Sequence, residues 1–155
     1  MTVSGNQIRK MKSAARFFAV QALFQLEHSG QEVDKVISEF EEHRFGATFD
    51  GDEMQEGDPA TFGLLMRGAV NLQAKIDQMT DRALVVKWPL GRIDPTLRAL
   101  FRAAGAELTE GDTPPKVVIN EFVEVARAFF PETKEPKFVN GVLDHMAREA
   151  RPEAF

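Results

Sequence analysis

The stretch KFVNGVLDHM, Lys137 to Met146, decides how the chain is read. Asn140-Gly141 between apolar runs is the usual signature of a tight hairpin turn. The apolar residues around it obey another rule. Phe138, Val139, Val142, Leu143, Met146 and Ala147 cover one half of a helical wheel, and Lys137, Gly141, Asp144 and Arg148 cover the other. That is a period of 3.6 and not an alternation of two, so the Asn-Gly pair lies inside a helix. A glycine in a helix interior costs about 1 kcal/mol relative to alanine. On the outer face Gly141 cannot serve the helix's own core. Close approach of another lobe or a partner to its backbone is therefore the favoured expectation.

The same period runs through most of the chain. SAARFFAVQALFQLEH (13–28) is apolar almost all round, with a polar strip at Gln21, Gln25 and His28, so it reads as a central helix ending at Gly30. Val33, Val36, Ile37 and Phe40 mark a second, amphipathic helix. Arg44 to Asp58 is glycine-rich and acidic and reads as a loop. Asp58-Pro59 and Asp94-Pro95 each supply an N-cap followed by a first-turn proline. The helix after Pro59 is expected to break near Asp81, and VKWPLGRIDP (86–95) to connect two lobes. A helix through Leu97, Leu100, Phe101, Ala104 and Leu108 follows, then one burying Val118, Ile119, Phe122, Ala126 and Phe129, and then the stretch above. The prediction is an all-α protein of about six or seven helices in two packed helical bundles. Its expected divisions are a flexible basic arm over 1–11, a first helical subdomain over 12–85 and a second over 86–151, in one compact domain.

With 43% hydrophobic and 28% charged residues, no cysteine and no apolar run long enough to span a bilayer, the chain reads as a globular protein without a membrane segment. The N-terminus carries no secretory-type apolar stretch, so the cytoplasm is the expected compartment. Net charge is −5, which argues against coating nucleic acid over the whole surface. Its distribution is uneven. Residues 1–26 hold Arg9, Lys10, Lys12 and Arg16 and no acid, whereas residues 27–60 are strongly acidic and opposed only by Lys35 and Arg44.

Catalytic chemistry is missing. His28, His43 and His145 fall on separate elements without ligand spacing, and phosphate-binding or nucleophile-elbow motifs are absent. Glu121 and Glu124, one turn apart, read as a solvated helix face. The expectation is a protein with no catalytic residues, no cofactor and no metal.

AVQALFQLE (19–27), WPLGRID (88–94), PPKVVINEFVEVARAFF (114–130) and KFVNGVLD (137–144), in that order, resemble the NusB family of bacterial transcription antitermination factors. The resemblance runs from about Ala14 to Arg148 and implies two perpendicular helical bundles. It also implies binding to boxA-type leader RNA of ribosomal RNA operons together with the ribosomal protein NusE, and indirectly with other Nus factors and RNA polymerase. The family's RNA site maps onto Arg9, Lys10, Lys12 and Arg16, the residues that charge alone marks as phosphate contacts. Phe24 stands where the family usually has tyrosine and could stack a base, though core packing beside Phe17 and Val20 is given more weight. Lys116 is a further candidate phosphate contact. The partner surface maps onto Glu132, Lys134, Glu135, Lys137 and Phe138. The competing expectation is a helical protein-interaction module or homodimer without RNA binding.

Overall fold

The computed structural model describes residues 4–46, 48–49, 52–53, 56–84 and 93–155. Among them are seven α-helices: α1 (Gly5–Ser29), α2 (Val33–His43), α3 (Pro59–Asn71), α4 (Gln73–Leu84), α5 (Pro95–Glu110), α6 (Pro115–Phe129) and α7 (Glu135–Ala150). A final 3-10 turn covers Pro152–Ala154. The acidic loop contains a minimal antiparallel pair, β1 (Thr48–Phe49) with β2 (Asp52–Glu53).

Helix α1 ends where expected, at Gly30, whose φ of 69° is left-handed and costs glycine little. Its start differs from expectation. The Ser4 hydroxyl accepts from the Gln7 amide at 3.1 Å, so residues 5–11 are the first turns of α1 and not a flexible arm. The Asp58 amide also donates to the Met11 carbonyl at 3.0 Å and ties this end to the start of α3. Both aspartate-proline signals hold. Asp58 accepts from the Thr61 amide at 2.9 Å, and Asp94 from the Thr96 amide at 2.7 Å.

The expected break near Asp81 lies elsewhere. Asp81 is inside α4, and the helical path breaks at Leu72, directly after Asn71, a residue type that competes for backbone hydrogen bonds. The connector expected at 86–95 falls largely outside the described residues, as does the division expected at 85/86.

Helices α1 to α3 form one bundle and α4 to α7 the other, with α5 packed along α1 and α3 as well as its own neighbours. The core runs unbroken through both. Phe18, Phe40 and Phe62 fill the first bundle, and Phe101, Phe122, Leu143 and Met146 the second. Where α5 crosses α4, a Cβ on Gly105 would run into Ile76, so only glycine allows this approach. Gly141 is the opposite case. A Cβ there would meet nothing within 4 Å, so among the described residues no other lobe approaches it, which leaves a partner as the expected source of close approach. Arg151 closes the far end of α5 by donating to the carbonyls of Glu107, Leu108, Gly111 and Thr113.

Candidate nucleic-acid and partner interface

Helices α1 and α6 run side by side in the same direction. The Ser13 hydroxyl donates to both Glu121 oxygens, at 3.0 and 2.9 Å, and the Phe17 and Phe129 rings stack with centroids 4.9 Å apart. The positive ends of both helix dipoles therefore sit together. Arg9, Lys10 and Lys12 are exposed on the first turns of α1, and Lys116 on the first turn of α6. None of these four forms an ion pair among the described residues. Two apolar side chains of the same turns, Ile8 and Val117, are 42% and 43% exposed. Behind them lies an open groove of about 550 Å³, with Arg9 and Lys10 on one wall and Glu121 and Glu124 on the other.

Arg16, the fourth expected phosphate contact, is not available to a ligand. Its side chain is 4% exposed and two-pronged on Glu107 of α5, with Nε to Oε1 at 2.8 Å and Nη2 to Oε2 at 2.7 Å. Glu121 stands 3.5 Å from Nη1. Burial alone would lower the Arg16 pKa, but the hydrogen bonds and charge of Glu107, with Glu121 behind, hold it above the ordinary arginine value. Arg16 faces inward because α1 is buried on most sides at this level, between Ala15 and Ala19. The same contacts correct the reading of Glu121, which is 27% exposed and engaged by α1, while Glu124 is exposed and pairs with Arg127.

Phe24 is likewise not a core residue. It is 38% exposed and stacks on His28 with ring centroids 4.3 Å apart. Lys12 and Phe24 stand about 18 Å apart along one helix. So the structure does not bring Phe24 together with the cations. It borders an open groove of about 520 Å³ with Gln21, Phe40, Arg44, Thr96 and Phe129.

The segment expected to meet a partner begins at that same end, after Phe129. Glu132, with φ 58°, and Lys134 are exposed in the α6–α7 turn. The Thr133 hydroxyl and the backbone amides at the start of α7 hold the Glu135 carboxyl below its ordinary value, against the charge of Asp94. Lys137 is exposed beside Asn120, Arg127 and Asn140 in a shallow cleft of about 380 Å³ between α6 and α7. Phe138 is half-buried, edge-on to Phe101 at 6.3 Å.

A sequence profile of the NusB family matches residues 13–148. The chain belongs to the NusB family. NusB of Caulobacter vibrioides, a transcription antitermination protein, is 49% identical over 150 residues, which is 96% of this chain and 99% of that one. NusB of Agrobacterium fabrum is 46% identical over 92% of this chain and 87% of its own. NusB of T. maritima superposes with a TM-score of 0.73 at 28% identity, covering 100% of this chain and 99% of that one. The same fold occurs in a crystal structure of the antitermination factors NusB and NusE with double-stranded RNA, at TM-score 0.70 and 23% identity over 88% of this chain and 96% of that one. Among the described residues of this NusB chain, no helix is long and apolar enough to cross a membrane.

Missed from the sequence was Glu107, which a hydrophobic count passes over. Its signal is an acid inside the run Ala103 to Leu108, all of it buried. An ionised carboxylate at such a position needs a charged or hydrogen-bonding partner in the core.

Proposed function

We propose that this chain is a transcription antitermination factor that works as an adaptor without catalysis. It binds boxA-type leader RNA of ribosomal RNA operons together with the ribosomal protein NusE, in the cytoplasm, and reaches other Nus factors and RNA polymerase through that complex. The observation that carries the reading is the gathering of Arg9, Lys10, Lys12 and Lys116 at the joined N-terminal ends of α1 and α6, exposed and without acidic partners among the described residues. On a chain of net charge −5, such a patch is a local footprint for a polyanion. Ile8 and Val117 add apolar surface on which unpaired bases can rest.

The partner protein takes the other end. The Phe24 groove and the loop from Glu132 to Phe138 together offer an aromatic anchor and charged residues around it. That combination suits a basic ribosomal protein, with Glu132 and Glu135 giving register and steering more than affinity.

Titration with boxA RNA and with a scrambled RNA of equal length, with and without NusE, tests the proposal. Weak binding by the free protein, strengthened by NusE and selective for boxA, is the expected outcome. Equal affinity for both RNAs with NusE present would leave a protein-interaction module or homodimer instead.

A further inference from the structure

Resting on the RNA-binding reading above, we propose that Arg16 is a positioning residue for that interface. It touches no RNA and, through Glu107 and Glu121, fixes the direction in which Arg9 and Lys12 point.

The argument starts from what an ion pair does in a core. Replacing a buried pair with apolar residues of similar volume is often neutral or stabilising, so stability alone does not account for a charge among Ala15, Phe18 and Ala19. What the pair adds is direction. A guanidinium fork on a carboxylate fixes both partners in plane and angle. Arg16 makes that two-pronged contact to α5, at 2.8 and 2.7 Å, and is also 3.5 Å from Glu121 of α6. The Ser13 hydroxyl donates to the same Glu121, so α1 is held by two other helices over one turn.

Lys12 and Arg9 lie one and two turns ahead of Arg16 on the same helical face. The stripe that is buried at Arg16 emerges from the body at Lys12 and Arg9, where both are exposed. A clamp immediately behind them fixes the rotation of α1 about its axis. The Asp58 amide on the Met11 carbonyl braces the same turn from the α3 side. Cations held this way lose less freedom on binding a phosphate chain.

Five proteins measured with boxA RNA and NusE across a salt series test this: wild type, Arg16→Gln, Arg16→Lys, Lys12→Gln and Leu143→Ala. Arg16→Gln is expected to bind about tenfold more weakly, as when two long side chains must be ordered on binding. Its salt slope should stay at the wild-type value, whereas Lys12→Gln should lower the slope by about 0.7. Leu143→Ala, destabilised in α7 away from α1, should bind like wild type. Arg16→Lys, which keeps the charge and loses the fork, should fall in between. A folded Arg16→Gln with wild-type affinity overturns the proposal, and so does a slope reduced as far as in Lys12→Gln, which would make Arg16 a direct contact. If Arg16→Gln does not fold, Ser13→Ala with Glu121→Gln loosens the same turn and leaves the Arg16–Glu107 pair in place. Roughly threefold weaker binding at an unchanged slope is expected there, on the same ordering argument, and wild-type affinity overturns the proposal. A wild type that does not distinguish boxA from scrambled RNA refutes the functional reading itself, and this inference falls with it.

Discussion

The two halves of α1 belong to one uninterrupted helix and present opposite chemistry. Its first turns carry Arg9, Lys10 and Lys12 in solvent beside the start of α6, where two helix dipoles point their positive ends the same way. Its last turns carry no exposed lysine or arginine; they offer Phe24, stacked on His28, at the edge of a groove that Phe129 and Thr96 complete. Between the two, Arg16 is withdrawn into the body on Glu107. The contrast teaches that a run of cations in sequence is not a patch in space. One helix turns Arg9 and Lys12 outward and Arg16 inward, and its length keeps a cationic surface about 18 Å from an aromatic one. The surfaces proposed for RNA and for NusE are therefore separate on the helix.

The largest effect is expected where the buried charge is broken. Glu107→Ala removes the two-pronged partner of Arg16 in the core, leaves it only Glu121 at 3.5 Å, and should lower the free energy of unfolding by about 3–5 kcal/mol in a urea titration. Arg9→Ala, the same operation on an exposed charge, should stay within about 0.5 kcal/mol of wild type. Equal effects would erase the distinction between the two kinds of cation.

Next in size is a pair of glycines. Gly105→Ala forces a methyl group into Ile76 at the α4–α5 crossing and should destabilise by about 1–3 kcal/mol. Gly141→Ala adds its methyl to open space and should stabilise the helix by up to about 1 kcal/mol. Thermal melts of the two variants should therefore shift in opposite directions. If Gly141→Ala weakens NusE binding while raising the melting temperature, the close approach sought at this position belongs to the partner.

Replacing Arg9, Lys10 and Lys12 together with glutamine should leave the melting temperature unchanged and flatten the salt slope of RNA binding by about 2. The smallest effect concerns pH. Arg82 of α4 donates to both Glu149 oxygens of α7, and that hydrogen bonding holds the Glu149 carboxyl below its ordinary value. A depressed carboxyl contributes stability above its unfolded pKa and loses it as pH falls through the folded one. Arg82→Gln should therefore destabilise at neutral pH and leave stability in acid unchanged, which narrows the difference between the two.

The helices were legible because periodicity is local. Val33, Val36, Ile37 and Phe40 are buried or half-buried on one face of α2, and the caps at Asp58, Asp94 and Gly30 each need only neighbouring residues. The start of α1 was hidden because its first turns pack little, and what holds them is a Ser4 cap and an amide from Asp58 far along the chain. The four cations were equally legible as charges and not as positions. Which one turns inward depends on Glu107, 91 residues away, and on how α5 lies across α1. Phe24 shows the same limit in reverse. Its wheel position beside Phe17 and Val20 pointed to the core, yet among the described residues no helix covers the face of α1 that carries Phe24, although Leu23 beside it is buried.

Backbone amide shifts of the free protein, recorded on adding boxA RNA and separately on adding NusE, test most directly that the two ends of α1 serve two ligands. RNA should perturb residues 6–13 and 115–117, and NusE should perturb residues 20–28 and 129–138, with little overlap. RNA shifts centred on Phe24 and His28, with Arg9 to Lys12 unmoved, would contradict it.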